Sequence, residues 1–171
     1  MSDNILEREE PRSLIERRTI LKGAAWSVPI ILATAAVPAH AASNVDVGAF
    51  TLTGTCGTLG LIGPGFLLQA GPTAPLPVGT VVTVTGTGVA NIGVFSVSGG
   101  TASVVVLTNR SRQITLTSAL PAGATIAFRT TLSISVAFTL SAVATLPEGY
   151  VATGAKSAGT VNSTLVLCSA S

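Results

Sequence analysis

Leu132-Ser133-Ile134-Ser135-Val136-Ala137-Phe138-Thr139-Leu140-Ser141 decides the fold class. Leu132, Ile134, Val136, Phe138 and Leu140 take every second place, with small or hydroxyl side chains between them. Successive side chains of a strand point to opposite faces, so this alternation predicts half-buried β-structure. A helix would spread both sets around its axis. Weaker alternation recurs outward from this stretch. Val82 and Val84 alternate with Thr83 and Thr85, and Ile114 and Leu116 alternate with Gln113, Thr115 and Thr117. Ile126 and Phe128 alternate with Thr125 and Arg129. Val104-Val105-Val106-Leu107 is apolar at every place, as in a central strand covered on both faces. Ile92 to Val97 changes phase at Val94-Phe95, which predicts a bulge. Asp46 to Thr53 and Thr160 to Cys168 supply the first and last strands.

Turn chemistry separates these runs. Leu76-Pro77-Val78-Gly79, Leu120-Pro121-Ala122-Gly123 and Leu146-Pro147-Glu148-Gly149 share an L-P-x-G pattern. Proline presets φ and glycine accepts positive φ, so each predicts a turn into a strand. Ser98-Gly99-Gly100 predicts a hairpin turn, and Gly154 to Gly159 a flexible loop. Gly63-Pro64-Gly65 and Ala70-Gly71-Pro72 punctuate a looser segment over 57–78. The expectation is an all-β fold: an Ig-like antiparallel β-sandwich of about seven to nine strands. A small closed barrel is the alternative.

The length of 171 residues suits one domain. A hydrophobic content of 47% excludes the charged, disordered class. Charge divides the chain in two. Residues 1–41 hold Arg8, Arg12, Arg17, Arg18 and Lys22 against Asp3, Glu7, Glu9, Glu10 and Glu16. Residues 42–171 hold Arg110, Arg112, Arg129 and Lys156 against Asp46 and Glu148. Four scattered cations make no nucleic-acid footprint, so no nucleic-acid partner is expected.

The first part carries an address. Glu16-Arg17-Arg18-Thr19-Ile20-Leu21-Lys22 resembles the twin-arginine (Tat) export motif S/T-R-R-x-F-L-K. Arg17, Arg18, Leu21 and Lys22 match it, Ile20 stands where Phe is common, and Glu16 departs from the usual hydroxyl. An apolar segment follows from Gly23 to Leu32. Ala39-His40-Ala41, followed by Ala42, is an A-x-A signal-peptidase site. The resemblance implies a helical signal peptide over 1–41, cleaved after Ala41, and a β-sandwich domain over 42–171. It also implies the Tat translocase and signal peptidase as partners during export, with a secreted or cell-surface destination. The chain resembles small Tat-exported proteins of Gram-positive actinobacteria, specifically over 16–43 and in texture alone over 44–171.

Cys56 and Cys168 are the two cysteines. In an exported chain the expectation is one disulfide between them, with two buried thiols as the alternative. Metal binding is not expected, because histidine and carboxylates are too scarce to complete a ligand set.

Catalytic equipment is missing. His40, the single histidine, leaves with the expected signal peptide. Asp46 at a strand start and Glu148 in a turn read as solvated end residues, not as a glycosidase pair. Lys156 with a neighbouring serine makes a poor Ser–Lys dyad on a loop. Beyond residue 41 there is no Trp, and Tyr150 is the one Tyr, so sugar stacking is poorly equipped. The T-x-T units Thr51–Thr53, Thr83–Thr85 and Thr115–Thr117 suit solvated sheet faces better than an ice-binding array. No enzyme activity and no cofactor are expected. The expected function is a non-enzymatic structural or adhesive component of the cell envelope, with self-association or an envelope partner. The alternatives are a secreted ligand-binding sandwich, with 57–78 as its variable loop, and a small envelope β-barrel.

Overall fold

Alternating residues become strands only where partner strands flank them, and the pairing below follows that rule. The computed structural model describes residues 44–58, 62–133, 135–165 and 167–171. The twin-arginine segment with Arg17, Arg18, Leu21 and Lys22, and the Ala39–Ala42 cleavage site, lie outside the described residues. Twelve strands and no helix occur among the described residues. The first six are β1 (Val45–Asp46), β2 (Thr51–Thr55), β3 (Gly65–Gln69), β4 (Val81–Thr87), β5 (Phe95–Ser98) and β6 (Ala102–Thr108). The others are β7 (Ser111–Leu116), β8 (Thr125–Thr130), β9 (Phe138–Thr145), β10 (Tyr150–Val151), β11 (Ala158–Ser163) and β12 (Cys168–Ala170).

One antiparallel sheet has the order β12-β11-β9-β4-β7-β6 and the other the order β2-β3-β8-β5. β1 and β10 form a short parallel pair. The alternating apolar side chains meet between the two larger sheets. Leu52, Phe66, Leu68, Ile126 and Phe128 come from the four-stranded sheet. Val82, Val84, Ile114, Leu116, Leu140 and Val161 come from the six-stranded one. Each of these is nearly or fully buried, which makes the fold a β-sandwich. Neither sheet closes on itself, so the closed-barrel alternative is overturned.

The three L-P-x-G units fold alike. Gly79, Gly123 and Gly149 have φ of 85°, 71° and 82°. The carbonyls of Pro77, Pro121 and Pro147 accept bonds from the amides of Thr80, Ala124 and Tyr150. β4, β8 and β10 begin at or just after these turns. Leu76 and Leu120, both buried, exchange backbone hydrogen bonds of 2.9 and 3.0 Å. From that bridge β4 enters one sheet and β8 the other.

Several sequence expectations are corrected. The strand expected over 132–141 starts at Phe138 and runs on to Thr145, keeping the same phase: Phe138, Leu140, Ala142 and Ala144 are buried. Its neighbours end at Thr87 and Ser163, so among the described residues those before Phe138 have no strand to pair with. Val136 instead donates to the Ser133 carbonyl in a turn, and Ile134 lies outside the described residues. Val104–Leu107 is not central: β6 is the edge of the six-stranded sheet. Four strands are too few to cover six: Ala102 and Val104 still pack half-buried against the core, while Val105–Leu107 are exposed. The phase change at Val94 is a turn before β5, with Gly93 at φ 76°, and not a bulge. A register irregularity falls instead between Val106 and Thr108. Ser98–Gly100 does turn, but it links β5 in one sheet to β6 in the other, so no hairpin forms. Thr160–Cys168 is two strands, β11 and β12, folded back through a turn in which the Thr164 amide bonds the Leu167 carbonyl. The backbone of Lys156 is paired with β2 rather than looped away: its amide bonds Phe50 O and its carbonyl accepts from Leu52 N.

Candidate functional site

The sandwich has one sealed side and one open side. On the sealed side Gly54 N donates to Ser171 O at 2.8 Å, and Lys156 bridges Phe50 and Leu52. Cys56, just past β2, and Cys168, the first residue of β12, form a disulfide with Cα atoms 5.9 Å apart. The expected bond is therefore present.

On the open side β6 presents its edge to solvent. Thr117 N donates to Thr101 O at 3.1 Å, one step beyond the Ala102–Leu116 pair. Antiparallel bonding alternates, so Ser103 and Val105 bond inward to Thr115 and Gln113. The amides and carbonyls of Ala102, Val104 and Val106 then face outward. Val105, Val106 and Leu107 are 50%, 64% and 51% exposed, a large apolar exposure for adjacent residues. β6 contains neither a charged residue nor a proline.

A cleft of about 690 Å³ lies over the outer face of the four-stranded sheet. Its floor is Ser96 and Ser98 of β5 with Ala127 and Arg129 of β8. Thr58, Ile62 and Gly63 form one wall, and Thr131 to Ser133 another. Arg129 points out of the sheet because Ile126, Phe128 and Thr130 take the core-facing phase of β8. Its Nη1 donates to Thr55 Oγ1 at 3.1 Å and reaches the Gly63 carbonyl at 3.5 Å. Burial lowers its pKa from the ordinary value, because its charge has lost hydration. Neither Asp46 nor Glu148 lines the cleft.

Arg112 is used differently. It occupies the core-facing phase of β7, between Ser111 and Gln113, and is 4% exposed. Its Nη1 donates to the Thr108 and Ser111 carbonyls. Its Nη2 donates to Asn91 Oδ1 at 3.0 Å and Gly93 O at 2.9 Å. Sequence reading treated both arginines as scattered cations. The alternation of β7 and β8 was the signal that separates them, since it puts Arg112 in phase with Ile114 and Arg129 out of phase with Phe128.

The remaining candidates lie apart. Asp46 accepts from the amides of Gly48 at 2.8 Å and Thr153 at 3.0 Å, which makes it a local clamp. Its pKa is lowered, chiefly by the Thr153 side-chain hydrogen bond and then by those two amides. Glu148 sits in the third L-P-x-G turn. The T-x-T units do not stack: Thr83 is opposite Gln113 and Val143, and Thr51–Thr53 lie in the other sheet. No group of three or more potential metal ligands occurs among the described residues.

No protein-family model matches the chain, and no curated protein matches it at a significant level.

Proposed function

We propose that the chain is a Tat-exported, non-enzymatic structural protein of the cell envelope whose sandwich pairs with a second copy along β6. The observation that carries this reading is the contrast between the two sides of the sandwich. Edge strands that stay single normally carry a charge or a proline, or are very short. β6 is seven residues long and has none of these. Its outward groups at Ala102, Val104 and Val106 are symmetric about Val104. An antiparallel second copy therefore meets Val104 with Val104 and Ala102 with Val106, donor to acceptor. The same surface serves both partners, so the contact closes at two. Export is supported by Arg17, Arg18, Leu21, Lys22 and the Ala39–Ala41 site, and the disulfide fits an oxidising compartment.

Sedimentation of the full-length chain tests the pairing. Dimer is expected at micromolar concentration, and Val105→Lys with Val106→Lys is expected to leave monomer with an unchanged circular dichroism spectrum. A wild-type monomer, or a dimer indifferent to the two lysines, would sink the β6 reading. Export is tested separately: Arg17→Lys with Arg18→Lys should hold uncleaved precursor in the cytoplasm, and undiminished secretion would exclude the twin-arginine route.

A further inference from the structure

We propose that the cleft over β8 is a binding site for a carboxylate carried on a small hydroxylated scaffold, with Arg129 as its anchor. A buried or half-buried arginine is ordinarily saturated, because its planar fork carries five N–H donors whose desolvation must be offset. Arg112 meets that requirement with four acceptors on Nη1 and Nη2. Arg129 does not. Among the described residues its bonds leave from Nη1, to a hydroxyl and a distant carbonyl. No bond among the described residues leaves Nε or Nη2, and no fully buried side-chain nitrogen or oxygen there lacks a partner, so neither atom is sealed away unpaired. The unused pair is the edge of the fork that grips a carboxylate through two parallel bonds.

The surroundings define the rest of the ligand. Thr58, Ser96, Ser98, Thr131 and Ser133 line the cleft with hydroxyls, which both donate and accept. Ser96 already donates to the Arg129 carbonyl, which couples this rim to the strand that carries the arginine. No aromatic side chain lines the cleft, so stacking against a flat ring is not its mode. A single guanidinium balances the single charge of a carboxylate. A phosphate carries nearly twice that charge and is usually met by several cations or a cluster of amides. The volume lies in the range of small-ligand sites and accommodates one or two sugar-sized units. None of the lining residues belongs to β6, so the site stands or falls independently of the dimer.

Titration of the full-length chain with D-glucuronate, followed by two-dimensional amide NMR, tests the site. Saturable shifts are expected at Ser96, Ser98 and Arg129, and none with methyl glucoside or inorganic phosphate. Arg129→Lys keeps the charge but loses the fork, and binding is expected to weaken about tenfold. Arg129→Gln should abolish it. Ser98→Val, at an exposed strand position, should weaken binding about threefold without touching the guanidinium. Spectral dispersion shows whether each variant is folded, and Ser98→Val keeps the test open should Arg129→Gln not fold. The proposal is overturned by no saturable shift, by equal binding of methyl glucoside or phosphate, or by full retention in a folded Arg129→Gln variant.

Discussion

Arg112 takes the core-facing phase of β7 and Arg129 the outward phase of β8, and their fates differ for that reason. Arg112 enters the core and brings acceptors with it. Its bonds to Asn91 and Gly93 hold the turn that seats Ile92, a fully buried residue. Asn91 reinforces the turn by accepting from Gly93 N at 2.8 Å. Arg112→Met therefore leaves the Thr108, Ser111 and Gly93 carbonyls without their donor, and a loss of about 2–4 kcal/mol is expected in urea unfolding. Arg112→Lys should lose less, because one ammonium can serve some of the same acceptors. An unchanged unfolding midpoint in Arg112→Met would show that the cluster is not structural. Neither arginine was legible by residue type; strand alternation gives the face each takes but not its partners. Thr55 and Gly63 reach Arg129 from 74 and 66 residues away, and no local pattern in the chain encodes that meeting.

Elements were legible to the extent that local chemistry forms them. The L-P-x-G units specify their own turns, because proline and glycine act on backbone angles before any tertiary contact exists. Strand extent was not local. The clean alternation before Phe138 has no paired strand among the described residues, while Ala142 and Ala144, weaker signals, lie in β9 between β4 and β11. β6 reads as central from its valines because periodicity reports which residues are apolar, not how wide the opposing sheet is. The short β1–β10 pair depends on one titrating group. Asp46 binds the amides of Gly48 and Thr153, and its carboxyl sits below the ordinary value of 3.8. A carboxyl with a lowered folded-state pKa contributes stability above its unfolded value and loses it as pH falls through the folded one. Exchange protection of the Val45 and Val47 amides, which bond Gly149 O and Val151 O, should hold steady down to about pH 4 and fall below it. Asp46→Asn should lower that protection above about pH 4 to the level the wild type reaches in acid, and remove the dependence. Equal acid sensitivity in that variant would place the cause in another group.

At the scale of the whole molecule, the disulfide lies on the closed side of the sandwich. It spans 112 residues of chain, and a loop of that length implies about 4–5 kcal/mol in the chain-entropy model. It also holds β12 against β2 where the two sheets meet, beside the Gly54–Ser171 bond. Gly54 belongs to the same closure: a Cβ there would lie 2.0 Å from the Thr160 carbonyl, so the two backbones touch. Cys56→Ser with Cys168→Ser keeps the side-chain size but removes the tie, and a stability loss of roughly that size is expected in urea. A second consequence concerns assembly. With the sealed side intact, the proposed pairing along β6 would use the long open edge and stop at two. With the tie removed, β2 and β12 gain freedom to part and present further edges. The double serine variant is therefore expected to form species larger than the dimer as concentration rises, while the oxidised chain does not. Adding Val105→Lys and Val106→Lys to the serine variant should remove the β6 contact and leave the new edges as the remaining route. Identical size distributions for the oxidised chain and the serine variant would show that the Gly54–Ser171 and Lys156 bonds seal that side without the disulfide.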